Sequence, residues 1–257
     1  MKFTSLRLLA LLAAGSVYAA ANTAIIPAPR DANDGRFGGQ AFIERHEEFL
    51  KLAREKPCEI VFLGDSITDM WREDDRSGVA RGKRVWEKYF EPLHALNFGI
   101  GGDRTQHVLW RIEHGELDAI RPKAVVLLIG SNNTGIERVE GKVGRPRNLT
   151  PEVIAGVKAV VAALRAKLPE TKILLLGIFP RGEKPDLPQR QQIREVNAAI
   201  APLHDGQHVF FLDIGDKFLK PDGAIAREVM PDSTHPNEKG YEIWAKAIER
   251  PLRDLLK

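Results

Sequence analysis

Five short runs of mainly apolar residues recur along the chain, and segments with helical periodicity separate them. The runs lie at 59–63, 95–98, 124–129, 172–176 and 209–213. Each run is apolar along most of its length rather than alternating with polar residues, which is typical of strands buried on both faces of a parallel sheet. Strands that alternate with helices over short connections favour right-handed βαβ units. The sequence therefore predicts an α/β fold with a doubly wound parallel sheet of five strands.

The helical segments lie between these runs and after the last of them. Apolar residues recur at helical spacing over 42–55, 84–92, 105–116, 151–167, 189–203 and about 237–256. Thr150 followed by Pro151 is typical of a helix start, because proline is tolerated in the first helical turn. The chain has 257 residues, 43% of them hydrophobic, which suits one large globular domain. We expect that domain over 41–257, with no repeat and no interdomain linker.

The first 21 residues are typical of a secretory signal. Lys2 and Arg7 supply the positive start, and residues 8–14 form a short apolar segment. Small residues follow, so we expect cleavage after Ala19, although either of the next two alanines would also serve. An uncleaved N-terminus is the alternative, but the apolar segment is too short to span a bilayer. The sequence thus predicts an exported protein, periplasmic or secreted, with no stable membrane anchor, and a mobile lead-in over 22–40.

Composition excludes several classes of function. Cys58 is the single cysteine, which excludes an intramolecular disulfide framework and a cysteine-rich zinc site. The formal net charge is +3, with basic and acidic residues interspersed, so there is no nucleic-acid footprint. His204 and His208 have a metal-like spacing, but they flank a polar Asp-Gly turn. A dinucleotide fingerprint fails because Arg104 stands where its third glycine should be. We expect no metal and no cofactor.

Polar or glycine-rich loops follow three of the predicted strands, and a fourth such loop precedes the last helix. They lie at 64–68, 99–103, 130–133 and 231–236. Ligands of open α/β sheets bind at the carboxyl ends of the strands. These loops are therefore expected to converge on one edge of the sheet and to form a site there.

These loops contain the residues that an acyl-transfer reaction needs. Ser66 lies where a strand turns into the next segment, so its hydroxyl can face a cleft and act as a nucleophile. Asp232 and His235 lie three residues apart in a turn, close enough for the carboxylate to orient the imidazole as a base. The N–H groups of Gly102 and Ser66 and the amide of Asn132 are candidate oxyanion donors.

Each of these residues also has an ordinary structural interpretation. Serine is a common helix N-cap, so Ser66 could serve only to begin a helix. An Asp-x-x-His spacing recurs by chance, and Gly102 and Asn132 also fit simple turns. The usual nucleophile elbow of α/β-hydrolases is absent, because Thr68 stands where its second glycine should be. The residue pattern alone leaves these alternatives open.

The chain resembles the SGNH (GDSL-type) hydrolases, whose four sequence blocks occur here in order: Gly64-Asp65-Ser66, Gly102, Asn132 and Asp232-x-x-His235. The resemblance covers roughly residue 59 to the C-terminus. Within the family, the chain is most similar to the catalytic subunits of intracellular platelet-activating factor acetylhydrolase. The segments that carry this closer similarity lie at 92–103, 107–111 and 179–185.

The resemblance implies a flavodoxin-like three-layer sandwich, the SGNH hydrolase fold. It also implies that Ser66 is the nucleophile, that Asp232 and His235 complete a catalytic triad, and that Gly102 and Asn132 donate to the oxyanion. Together, the residues and the resemblance predict a serine esterase that removes short acyl groups, in particular acetyl, through an acyl-serine intermediate.

Two features depart from the family pattern. Asn133 stands where the broader family usually has Asp, which leaves the oxyanion donor intact but removes a structural carboxylate. The export signal is the second departure, because the animal subunits are cytosolic. Their lipid substrate and regulatory partner are therefore not expected here.

An acetylated carbohydrate is the expected substrate of an exported enzyme of this kind. The alternatives are a lysophospholipase or thioesterase of the same fold, and a non-catalytic carbohydrate-binding protein on the same scaffold. The only partner expected is a small-molecule or carbohydrate ester, without nucleic acid. An oligomer is compatible with the sequence, which specifies no oligomeric state.

Overall fold

Five parallel strands form one sheet in the computed structural model, which describes residues 21–136 and 146–257. They are β1 (Ile60–Gly64), β2 (Ala95–Gly99), β3 (Ala124–Leu128), β4 (Lys172–Leu176) and β5 (Val209–Leu212). Their order in the sheet is β2-β1-β3-β4-β5, the flavodoxin-like doubly wound order. The predicted α/β fold class and parallel sheet are confirmed. The predicted secretory signal lies, except for residue 21, outside the described residues.

Helices flank the sheet. They are α1 (Gln40–Glu55), α2 (Ser66–Asp69), α3 (Lys83–Tyr89), α4 (Thr105–Glu113), α5 (Thr150–Lys167), α6 (Pro188–Ile200) and α7 (Glu238–Leu255). The short helix α2 was not predicted, because one turn is too short to show periodicity. None of the helices in the described part of the chain is both long enough and apolar enough to cross a membrane.

The two faces of the sheet are covered by different helices, which gives three layers. Val61 and Leu63 of β1 pack into the layer that contains α1, α4, α5 and α6. Ile60 and Phe62 pack into the opposite layer, with α3 and α7. Every residue of β1 is buried as a result. Full burial of one such side chain is worth about 1.5–3 kcal/mol, which explains why the strands are continuously apolar.

Residues 22–40, for which the sequence predicts a mobile lead-in, pack against the domain. Residues 22–39, which we call the N-terminal strap, run across the start of α4. The Thr105 hydroxyl donates to the Ala24 carbonyl at 2.7 Å, and the Ala28 N–H donates to the Gln106 carbonyl at 3.2 Å. Phe37 is buried in the core. These partners are far away in sequence, so the local Gly- and Pro-rich composition does not reveal them.

Candidate active site

Ser66 is the first residue of α2, and one residue, Asp65, separates it from the end of β1. The cap of this helix is Asp65, whose Oδ1 accepts a hydrogen bond from the Ile67 N–H at 3.0 Å. Ser66 is therefore not the capping residue, and its hydroxyl is free for another contact. Its Oγ lies 2.8 Å from Nε2 of His235, within hydrogen-bonding distance. The structure thus brings together two residues that are 169 positions apart in sequence.

Asp232 holds both the backbone and the ring of His235. Its Oδ1 accepts from the N–H groups of Thr234 at 3.0 Å and His235 at 2.7 Å, and its Oδ2 lies 2.7 Å from His235 Nδ1. A carboxylate that binds backbone N–H groups two and three residues ahead forms an Asx turn. The three-residue spacing therefore makes a compact unit in which the imidazole orientation is fixed.

The turn that carries His235 is constrained by further contacts. Ser233 adopts a left-handed backbone conformation, with φ of 57°, which is uncommon for a residue other than glycine. The Gly182 N–H donates to the Ser233 carbonyl at 2.8 Å. On the other side, Nη1 of the buried Arg81 donates to the Pro236 carbonyl at 2.8 Å. Arg81 comes from the connection between α2 and α3, and it thereby anchors the loop that presents the histidine.

Gly102 and Asn132, the predicted oxyanion donors, lie on the loops after β2 and β3, which a hydrogen bond joins. The Asn132 amide donates to the carbonyl of Asp103 at 3.0 Å. An amide nitrogen carries two N–H groups, and this contact uses one of them. Within the part of the chain that the structure describes, the N–H groups of Gly102 and Ser66 donate to no other protein group. All three predicted donors therefore keep an N–H with which to meet a ligand.

Asn133 makes three side-chain hydrogen bonds at the position where the broader family has a carboxylate. Its Oδ1 accepts from the Thr105 N–H at 2.9 Å. Its Nδ2 donates to Gln106 Oε1 at 3.2 Å and to Asn148 Oδ1 at 3.0 Å. A carboxylate could accept the first bond but could not donate the other two. Asn133 is fully buried, and its neutral amide can form all three of these bonds, whereas an aspartate there could not.

Three carboxyl groups near Ser66 have shifted pKa values. Burial raises the pKa of Asp65 to about 6 and that of Asp103 to about 7. Arg111, with Nη2 at 3.0 Å from Asp103, opposes the second shift. For Asp232, partial burial favours the neutral form, but the hydrogen bonds from His235 and Thr234 outweigh it and hold its pKa well below the usual range. Asp232 is thus suited to remain ionised beside the imidazole.

Sequence reasoning missed several residues that hold the site together. Asp69, at the end of α2, accepts from the Gly101 N–H at 2.9 Å through its Oδ2. Arg30 and Arg81, both buried, donate to backbone carbonyls of the two loops that carry Gly102 and His235. Spacing gives no signal for such contacts, because an arginine that binds a distant carbonyl has no local pattern.

His204 is one of the two histidines whose spacing resembles that of metal ligands. Its Nδ1 accepts from the N–H of Phe211 at 3.2 Å, so the ring serves the turn before β5. Across residues 21–136 and 146–257, no three His, Cys, Asp or Glu side chains are grouped so that they could hold a metal ion.

Comparison with known proteins identifies the family. Residues 62–243 match the GDSL-like lipase/acylhydrolase family. The chain is also 37% identical, over 220 residues, to platelet-activating factor acetylhydrolase IB subunit alpha1 from Homo sapiens, which covers 85% of this chain and 86% of the human protein. The fold and these relatives define a carboxylic ester hydrolase. The chain belongs to the GDSL-like lipase/acylhydrolase family.

Solved structures show the same fold. An acetyl xylan esterase, AlAXEase, has a TM-score of 0.58 and 22% identity, covering 75% of this chain and 98% of that chain. An acetylxylan esterase from Geobacillus stearothermophilus has a TM-score of 0.56 and 19% identity, covering 78% of this chain and 94% of that chain. At such identities the likeness concerns the fold alone.

Replacing Asp65 by Asn tests the cost of burying its charge. The folded pKa of about 6 lies above the value of about 3.9 for an unfolded chain. The folded state therefore holds its proton more tightly, and the wild type loses stability as the pH rises through this window. Asn keeps an oxygen for the Ile67 N–H but carries no charge. We expect the free energy of unfolding of Asp65→Asn, relative to wild type, to rise by about 3 kcal/mol between pH 3.5 and pH 8.

Urea unfolding at several pH values measures this difference. Asp222 is the matched control, because its Oδ1 also accepts an N–H two residues ahead, from Ala224 at 2.9 Å, but in an exposed turn. The values for Asp222→Asn give the effect of the same replacement in an exposed turn, and they are subtracted from those for Asp65→Asn. An Asp65→Asn difference that stays constant from pH 3.5 to pH 8 would contradict the prediction.

Proposed function

We propose that the chain is a serine esterase in which Ser66 attacks the ester carbonyl. The observation that carries the proposal is the continuous chain of contacts from Ser66 Oγ to His235 Nε2 at 2.8 Å and from His235 Nδ1 to Asp232 at 2.7 Å. A hydroxyl, an imidazole and a carboxylate in this order form the triad that activates a serine for acyl transfer. The order of contacts matters here, because Asp232 binds one ring nitrogen and leaves the other to Ser66.

The reaction follows in two steps. Ser66 Oγ bonds to the carbonyl carbon while its proton moves to His235 Nε2, and a tetrahedral intermediate with a negatively charged oxygen results. That intermediate collapses, the bond to the alcohol breaks, and the imidazolium returns the proton to the leaving alkoxide. Water then attacks the acyl-serine by the same route and releases the carboxylic acid. Throughout, Asp232 keeps the ring oriented and stabilises its charged form.

The negative oxygen requires hydrogen-bond donors in both steps. Three N–H donors are proposed for it: the backbone groups of Ser66 and Gly102 and the side chain of Asn132. Removing one donor of this kind costs about 2.7–4 kcal/mol of transition-state stabilisation. Support comes from the loops themselves, which are joined through the Asn132–Asp103 hydrogen bond of 3.0 Å and follow the two strands that flank β1.

We propose that the acyl group is acetyl and that a carbohydrate carries it. The human relative is an acetylhydrolase by name, and two structures of the same fold are acetyl xylan esterases by name. The exposure of the site also favours a large carrier, because the side chains of His235 and Asp232 are 23% and 48% exposed. An acetyl group on a polymer can reach such a site without the polymer having to enter a tunnel.

Ser66→Ala should abolish hydrolysis of p-nitrophenyl acetate, with a loss of at least about 10⁴-fold in kcat/KM, because no other group can form the acyl intermediate. The fold should persist, since the change removes only one oxygen. Ser77→Ala is the control, because Ser77 is an exposed serine in the small hairpin that joins α2 and α3. Wild-type labelling by a fluorophosphonate, lost only in Ser66→Ala, would support the same assignment. Full activity of Ser66→Ala would rule it out.

A chain-length series tests the acyl preference. For p-nitrophenyl esters, we expect kcat/KM to be at least about tenfold higher for acetate than for octanoate, because a pocket fitted to one methyl group has no room for a longer chain. Acetic acid release from acetylated xylooligosaccharides, measured against lysophosphatidylcholine, tests the carrier. An optimum at eight carbons or more, or release of fatty acid only, would instead favour the lysophospholipase or thioesterase.

We also propose that the protein is exported to the periplasm or secreted. The positive start and short apolar segment before Ala19 support this. Expressed with its full N-terminus in a Gram-negative host, the protein should be recovered outside the cytoplasm with a mature chain that begins at residue 20, as measured by intact mass. Replacement of Leu11 and Leu12 by Arg should retain it in the cytoplasm at full length. Recovery of full-length wild type from the cytoplasm would contradict export.

A further inference from the structure

Arg30 of the N-terminal strap reaches the loop that carries Gly102. Its side chain is only 5% exposed. Nη1 donates to the Gly101 carbonyl, and Nη2 donates to the backbone carbonyl of Asp34 within the strap. The guanidinium thus connects a segment near the N-terminus with the loop after β2, 71 positions away.

The Gly101 carbonyl belongs to the same planar peptide group as the Gly102 N–H. Because the peptide group is rigid and trans, the direction of the oxygen sets the direction of the N–H at its other side. Arg30 holds that oxygen. Asp69 holds the preceding N–H, that of Gly101, at 2.9 Å. The Gly101 N–H belongs to the preceding peptide group, so the two contacts hold the peptide groups on both sides of Gly101.

Without such contacts this peptide group would rotate easily. Both residues that it joins are glycines, and Gly102 has φ of 89°, a conformation that glycine adopts without strain. A Cβ on Gly102 would lie 2.6 Å from Arg30 Nη1, so the guanidinium occupies the space beside the glycine. The Arg30 guanidinium therefore both excludes a side chain at residue 102 and restrains the backbone of the loop.

We propose that Arg30 is a positioning residue for ester hydrolysis, which turns the Gly101–Gly102 peptide so that the Gly102 N–H faces the oxyanion. The inference rests on the oxyanion role proposed above for Gly102. The positive charge beside the carbonyl also polarises the peptide group, which strengthens the N–H as a donor.

The positive charge of Arg30 also lowers the pKa of the buried Asp103, but it does so less than Arg111. Asp103 is the nearest buried carboxyl group, and Arg111 Nη2 already contacts it at 3.0 Å. Arg30 Nη1 is farther from the same carboxyl, at 4.0 Å. The hydrogen bonds of the Arg30 guanidinium go to backbone carbonyls. Its position is therefore suited to orienting the loop.

Kinetics of Arg30→Met and Arg30→Lys test the proposal, with p-nitrophenyl acetate as substrate. Arg30→Met should lower kcat about 10- to 100-fold and leave KM within about twofold, because the misplaced donor acts in the transition state. Arg30→Lys keeps one donor for the Gly101 carbonyl and should recover most of kcat. Arg54→Met, an exposed arginine near the end of α1, is the control and should match wild type.

A rescue experiment separates orientation from general damage to the fold. In Arg30→Ala, added methylguanidinium should restore kcat at least about fivefold, whereas it should not affect Arg54→Met. Thermal unfolding by circular dichroism shows whether each variant is folded, and Arg30→Lys serves as the primary variant if the smaller ones are not. A kcat for folded Arg30→Met within twofold of the Arg54→Met value would overturn the proposal, as would a Lys variant no better than Met. An inactive wild type, or an active Ser66→Ala, would instead overturn the proposed function.

Discussion

Parallel pairing of β1 with both of its neighbours is the constraint on which the site depends. Gly64 at the end of β1 is in register with Gly99 of β2 and with Leu128 of β3. Three successive strands therefore end at the same level, and their loops start side by side. Ser66, Gly102 and Asn132 are each within four residues of such an end. Since the chain moves to β2 on one side of β1 and to β3 on the other, this edge is also the switch point where such sheets bind ligands.

At residue 133, in the loop after β3, neutral hydrogen bonds replace a buried charge that would be costly. Asn133 is fully buried and satisfies the start of α4 through amide contacts alone. Asp65 and Asp103, in contrast, are buried carboxyl groups, and burial raises the pKa of each. A buried ion costs several kcal/mol unless its partners offset the loss of water. The site thus combines neutral amide hydrogen bonds at Asn133 with two carboxyl groups, Asp65 and Asp103, whose burial reduces the stability of the fold at neutral pH.

The sequence predicted the sheet and the Asp232–His235 spacing from patterns that a chain displays locally, whereas the triad with Ser66 was implied by the resemblance to the SGNH hydrolases. Burial on both faces makes a strand continuously apolar, and an Asx turn requires Asp232 and His235 to be three residues apart. The contacts that hold the strap against the domain were not predicted. The strap is held by Arg30 and by contacts with α4, and those partners lie about 70 to 80 residues away. No periodicity or turn signal encodes a side chain that donates to a distant carbonyl.

In the loop after β2, contacts from other segments hold the N–H of a flexible glycine, Gly102, in a fixed direction. Glycine is needed at residue 102 because the backbone has φ of 89° and because the guanidinium leaves no room for a Cβ. The same glycine has the largest conformational freedom to lose on folding. Contacts from three separate segments remove that freedom: Asp69 from α2, Asn132 from the loop after β3, and Arg30 from the strap. An N–H that is fixed before the substrate arrives needs no reorganisation during the reaction, which is the condition under which such donors are most effective.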